Sequence, residues 1–443
     1  MKRREFLKRA APAVALPLCI DGFRLAAHAH PPLVAGMAGT SAALDRVLVV
    51  VQMSGGNDGL NTIIPMDQYQ TYLNLRQNIA IAQSRALPLT AATGLHPAMT
   101  GMKSLYDAGK LCVVQGVSYP NPNFSHFRAT DIWLTASDYN QDLSSGWMGR
   151  YLDYEFQGYP DGYPNDFMPD PLAIQIGSVV SVGFQGATRS TAITITDPNT
   201  FYQLVSGSSS GGQDKTPNTT AGQELAFIRQ VAAQSIGYAT RIKSAADRAQ
   251  NKSTLYPAAG QNSLADQFKI VARLIAGGLR TRIYYVNLGG FDTHSSQVVA
   301  TDTSTGTHAN LLSKLSVAIQ VFLNDLELLE CDHRVVGMTF SEFGRRPASN
   351  ASLGTDHGTA APVFVFGRMV KGGVIGSNPN LSSLSGGNLL VQIDFRTLYA
   401  AVVGRWFGAD QVEQDAAMLK AFTPLDIIQS PVMLPRRRPL VAG

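Results

Sequence analysis

A chain of 443 residues with 45 % hydrophobic and 15 % charged side chains has the balance of a large folded domain, which excludes disorder over most of its length. The formal net charge of +4 comes from residues 1–29, where six basic side chains oppose two acidic ones; the remaining 30 basic and 30 acidic side chains cancel. That neutrality gives no footing to nucleic acid or an acidic membrane surface as partner.

The chain opens on Lys2-Arg3-Arg4-Glu5-Phe6-Leu7-Lys8, which resembles the bacterial twin-arginine export signal. A weakly apolar run follows, and Ala27-His28-Ala29 offers a cleavage site, so residues 1–29 are expected to be a leader and the mature protein periplasmic or extracellular. Pro12, Pro17 and Asp21 interrupt the apolar run, which excludes a stable membrane span there. Export of this type carries folded proteins, often with a metal loaded. Cys112 and Cys331 sit beside apolar stretches and read as buried thiols, with a single disulfide left open.

From residue 45 the pattern is that of one α/β domain reaching 443. Arg46 to Met53 is a near-continuous aliphatic run, as in a strand covered on both faces, and it ends in Ser54-Gly55-Gly56-Asn57-Asp58. The two glycines allow a tight turn that delivers Asn57 and Asp58. A helix is expected over 97–109 and a buried strand over Leu111–Val117. The prolines at 120 and 122 then exclude helix up to Asn123, and Ser125 is placed to cap a helix beginning at His126. A hydroxyl at a helix N-terminus faces unpaired N–H groups, a favourable place for a nucleophile.

Residues 138–260 read as an inserted cap over the site edge, with a flexible Ser/Gly loop at 206–222 and a long helix at 224–251. A helix over 266–282 leads into the strand Ile283–Leu288, which ends in Gly289-Gly290-Phe291-Asp292-Thr293-His294. An amphipathic helix over 307–329 leads into the strand Val335–Phe340, followed by Ser341, Glu342, Arg345 and Arg346, then Asp356-His357-Gly358 and another strand; a last helix spans 395–407. Three aliphatic strands thus end in acidic, imidazole or amide side chains, and a parallel sheet brings such ends to one edge. Asp58, Asp292, His294, Glu342, Asp356 and His357 form a donor set suited to one or two ions of Zn²⁺ or Mn²⁺, with too many imidazoles for Ca²⁺. Arg345 or Arg346 is placed to hold the oxygens of a phosphoryl or sulfuryl group.

Taken in order, "VVVQMSGGNDGLNT", "NFSHFRATDIW", "GGFDTH", "FSEFGRRP" and "GTDHGTAAPVFVFG" resemble the bacterial secreted family called domain of unknown function 1501, in the alkaline phosphatase/sulfatase-like superfamily. The resemblance implies a three-layer α/β fold with a mostly parallel central sheet and an inserted cap region. It implies metal ligands at Asp58 (Asn57 the fallback), Asp292, His294, Glu342 and His357, and a nucleophile at Ser125. The superfamily has Asp-His where this chain has Glu342-Phe343; His126 or Asp356 replaces the missing imidazole, or one metal position is weakened. The expected function is an exported metal-dependent hydrolase of phosphate or sulfate esters, with Ser125, His126 and Arg345 in the chemistry and a small-molecule or glycan ester as substrate. The alternative is a non-catalytic secreted protein that binds a glycan or a partner protein in the same cleft; a cytosolic phosphomutase fits less well with the leader.

Overall fold

The structure is a computed structural model that describes residues 45–160, 162–187, 189–206 and 235–429, with two short strands at Leu18–Ile20 and Phe23–Leu25. Contacts divide the chain into residues 1–42 with 432–443, and residues 43–431. In the first unit the two short strands pair antiparallel; the rest of the expected leader lies outside the described residues.

The second unit is built on a nine-stranded sheet. In chain order its strands and a neighbouring hairpin are β1 (Val47–Ser54), β2 (Leu111–Ser118), β3 (Ala173–Ile176), β4 (Ala192–Ile195), β5 (Ile283–Gly289), β6 (Val335–Phe340), β7 (Gly344–Ser349), β8 (Thr355–Gly358), β9 (Ala361–Phe366), β10 (Gly373–Ile375) and β11 (Ile393–Asp394). The order across the sheet is β10-β2-β9-β6-β1-β5-β3-β4, with β11 beside β2; β7 and β8 pair only with each other. β1 is central and parallel to both neighbours, Val50 lying opposite Tyr285 of β5 and Met338 of β6. β9 is the antiparallel member, set between β6 and β2.

The run of β-branched residues in β1 explains its position. Leu48 and Val50 point to one face, Val47, Val49 and Val51 to the other, and all are buried. The first face packs on α2 (His126–Thr135) and α3 (Trp147–Glu155) through Ile132, Trp133, Trp147 and Tyr151. The second packs on α1 (Thr100–Asp107), α4 (Ser263–Ala276) and α5 (Thr307–Leu328) through Met102, Phe268, Leu274, Leu315 and Phe322. Each fully buried aliphatic or aromatic side chain contributes about 1.5–3 kcal/mol. The result is a three-layer α/β fold with a mostly parallel sheet.

Several expectations need adjusting. The 138–260 block is not a separable insertion where it is described: β3 and β4 extend the main sheet beside β5, and α3 lies in the core. Most of the 206–222 loop lies outside the described residues, as does the first part of the helix expected at 224–251, of which 235–248 is helical. α4 begins earlier than expected because the Asn262 side chain accepts from the Ala265 N–H, and ends at Gly277. The 395–407 helix changes at Ala401 into a π-helical turn through Trp406. Cys112 and Cys331 are both free and buried, in the cores on opposite sides of the sheet, so they do not pair. No helix among the described residues is long and apolar enough to cross a membrane.

Candidate metal centre

The adjacent parallel strands β6, β1 and β5 end at one edge, and their turns interlock there. Gly55 (φ 123°) and Gly56 (φ 77°) take the chain out of β1 through conformations open mainly to glycine. A Cβ on Gly55 would stand 2.3 Å from the Asp292 nitrogen, so the turn after β1 lies directly against the turn that carries Asp292. Glu342, one residue beyond the Ser341 that follows β6, accepts the Gly55 N–H at 2.8 Å. The β7–β8 hairpin folds back so that His357 pairs with Arg345, and Gly354 passes close to the His294 backbone, where a Cβ would meet the carbonyl carbon at 2.3 Å. α2 delivers His126 from the other side, beginning directly after Ser125.

Three imidazoles converge on Asp292 through their Nε2 atoms. The His126, Asp292 and His357 donor atoms lie within 4.8 Å of one another. His126 Nε2 is 3.5 Å from Asp292 Oδ2, while His294 Nε2 and His357 Nε2 are 3.2 and 3.4 Å from Oδ1 and 2.9 Å from each other. Every Nδ1 faces an acceptor instead: Glu342 Oε1 at 2.7 Å from His126, Asp356 Oδ1 at 3.4 Å from His294, and the Phe124 carbonyl at 2.9 Å from His357. With the proton on Nδ1, an imidazole held this way turns its Nε2 lone pair into the shared space. Two such nitrogens 2.9 Å apart need a proton or a shared cation between them. Carboxylate- and carbonyl-anchored histidines around an acidic ligand form a donor set that fits a divalent ion.

Charge around Asp292 is uneven. Burial pushes its carboxyl up, but the Arg345 hydrogen bond and charge, with His294 and His126, leave it below the ordinary carboxylate value. Burial holds His357 below the ordinary imidazole value. The Asn350 hydrogen bond is the main cause of the lowered Asp356 carboxyl.

The other expected site residues divide by position. Asp58 is not in the cluster; it is fully buried and its carboxylate is taken by Arg76 Nη1 at 2.8 and 3.0 Å and Gln297 Nε2 at 2.6 Å. Burial raises its pKa, and Arg76, His308 and the Gln297 hydrogen bond more than reverse this. Asn57 offers no replacement, since its Oδ1 accepts from Thr62 and faces His308 Nε2 at 3.0 Å. Arg345 is buried and gives its N–H groups to the carbonyls of Gly55, Gly56, Phe291 and Thr355 and to Asp292, which corrects the expectation that it grips a substrate anion. Arg346 is exposed. Glu342 and Asp356 stand behind imidazoles rather than among the converging atoms. Ser125 is exposed at the α2 N-cap position with no side-chain capping bond.

Sequence reasoning passed over the layer beneath. Gln297 Oε1 accepts from both Thr293 and Thr355 at 3.0 Å, which ties the Asp292 turn to the β7–β8 hairpin. Its nearness to the Asp292–His294 motif was the available signal. Phe343, read as the place of a missing imidazole, puts its ring 4.8 Å from His126 and 4.4 Å from His357, so it forms an apolar wall of the cluster. Arg76 follows the short helix Tyr69–Leu75 without any motif, and nothing local marks it as the partner of Asp58.

A cleft of about 390 Å³ opens beside the cluster. Ser54, Phe127, Thr130 and Asp131 line it along with Asp292 and Glu342, and no Lys or Arg among the described residues does so.

No curated protein matches the chain. Among solved structures, Ps i-CgsB in complex with k-i-k-neocarrahexaose is similar at 12 % identity and a TM-score of 0.35, covering 84 % of this chain and 74 % of that one. Ps i-CgsB alone is similar at 10 % identity with the same TM-score and coverage. Likeness at this level fixes neither fold nor ligand. Residues 45–420 match the family model described as "Protein of unknown function (DUF1501)". The chain therefore belongs to the DUF1501 family.

Proposed function

We propose that His126, His294, His357 and Asp292 hold one divalent transition-metal ion, Zn²⁺ or Mn²⁺, and that this centre hydrolyses a phosphate or sulfate ester. The observation that carries the reading is that the donor atoms of His126, Asp292 and His357 lie within 4.8 Å of one another, with His294 Nε2 alongside, 3.2 Å from Asp292 Oδ1 and 2.9 Å from His357 Nε2. Three imidazoles with one carboxylate favour a borderline ion over Mg²⁺ or Ca²⁺. One ion is proposed rather than two because Asp58 is neutralised by Arg76 in the interior. A bound ion would polarise the ester and lower the pKa of a nearby hydroxyl.

The protein's own groups have distinct parts in this scheme. Glu342, Asp356 and the Phe124 carbonyl orient the ligands, and Arg345 fixes the Asp292 carboxylate. Ser125, exposed and next in sequence to His126, is the proposed nucleophile. Its Oγ gives up its proton to water and bonds to phosphorus or sulfur as the bond to the leaving oxygen breaks, and the leaving group takes a proton from water. A second water cleaves the seryl ester to release phosphate or sulfate and restore the hydroxyl. The resemblance of Arg3-Arg4 and their neighbours to a twin-arginine signal supports export before this chemistry operates. A second reading, binding without turnover, is favoured by the absence of Lys and Arg among the described residues lining the cleft.

The test is p-nitrophenyl phosphate and p-nitrophenyl sulfate hydrolysis by Zn²⁺- and Mn²⁺-loaded protein. Nitrophenol release reduced at least about 100-fold in Ser125→Ala supports the scheme. Unchanged turnover in that variant removes Ser125 as nucleophile, and silence of the loaded wild type on both esters moves the reading to binding without turnover.

A further inference from the structure

The first turns of α2 carry more than His126. His126 and Thr130 are four residues apart, as are Phe127 and Asp131, so each pair lies on adjacent turns of the helix, and all four line the cleft beside the cluster. Phe127 is 87 % exposed, and Phe124, three residues earlier and ahead of the helix, is 40 % exposed. Isolated exposed apolar residues are ordinary on a protein surface. Here two aromatic rings occur within four residues, next to a cluster of converging donor atoms.

The rest of the cleft narrows the ligand chemistry. Ser54 and Thr130 offer hydroxyls and Asp131 an exposed carboxylate, while the described lining has no Lys or Arg. Asp292 and Glu342 already face Arg345 and His126. An organic cation would require rings on several sides to be caged, and Phe127 supplies one face of the cleft. A ligand with one apolar C–H face and several hydroxyl donors satisfies the ring, the hydroxyls and the carboxylate together.

We propose that this cleft is a carbohydrate subsite, in which Phe127 stacks on a sugar ring and Asp131 accepts hydrogen bonds from its hydroxyls. If the metal-centre reading holds, the ester at the metal is carried by a sugar.

The test uses the mature chain, metal-loaded and EDTA-stripped, on an array of neutral and anionic oligosaccharides, followed by titration calorimetry with the retained glycan. Neutral glycans bind, Phe127→Ala weakens binding at least about tenfold, and Asp131→Asn weakens it as well. The control Phe167→Ala, at another exposed ring, leaves binding unchanged. Binding that persists in stripped protein keeps the sugar subsite even if metal-dependent hydrolysis fails. Retention of no glycan, equal affinity in Phe127→Ala, or displacement by tetramethylammonium rather than by free sugar overturns it.

Discussion

Glu342 Oε1 stands 2.7 Å from His126 Nδ1 and also accepts the Gly55 N–H at 2.8 Å, so one buried oxygen joins the start of α2 to the end of β1. Glu342→Gln keeps an acceptor there but loses the charge, and should weaken metal binding about tenfold; Glu342→Ala loses both and should weaken it about 100-fold. Competition against a chromophoric chelator reads both values. Equal affinity in Glu342→Ala would show that His126 needs no anchor.

Asp58 distinguishes a structural acid from a ligand. Removing it leaves the Arg76 guanidinium uncompensated in the interior, so Asp58→Ala should cost about 3–5 kcal/mol in urea unfolding. The folded fraction should still bind its full equivalent of metal. Loss of metal with little loss of stability would return Asp58 to the centre.

The fold should lose stability on mild acidification because of His308. Burial holds this imidazole at about 4, below its ordinary value of 6.5. Between those values the unfolded chain takes up a proton that the folded one refuses, so stability falls as pH drops from 6.5 to about 4. The contribution is on the order of 3 kcal/mol at most. Urea midpoints measured over this range should show a shallower slope in His308→Asn, and an unchanged slope would contradict the assignment.

The Gly55 turn tests the interlock of the strand ends. Gly55→Ala adds a Cβ 2.3 Å from the Asp292 nitrogen at a φ of 123°, where an L side chain is strained. A loss of about 2–4 kcal/mol is expected, together with weakened metal binding. Unchanged unfolding and metal titrations would show that the two turns can separate.

The readable part of the sequence was its regular part. Aliphatic runs such as Val47–Met53 locate strands because a strand buried on both faces has nowhere to put polar side chains, and Gly-Gly after a strand marks a turn. His294 and His357 were legible because each sits in a short motif beyond a strand. The choice among acids was not legible. Asp58 and Asp292 each follow a glycine-bearing turn, and what separates them is the pairing of Asp58 with Arg76, 18 residues along and in no motif, and with Gln297, 239 residues away. Arg345 reads equally well as an anion clamp or a backbone staple until its carbonyl partners are seen. The Gly, Asn and Ser residues between Arg346 and Asp356 give no strand signal, and they hide a hairpin whose pairing sets His357 opposite Arg345.

The central claim is tested most directly by the metal content of mature protein purified without chelator, beside a His357→Ala/Asp292→Ala variant checked for folding by circular dichroism. About one equivalent of Zn or Mn in the wild type, lost in the folded variant, is the predicted result. No metal in the wild type even after reconstitution, or the same metal content in both proteins, would contradict a centre at these residues.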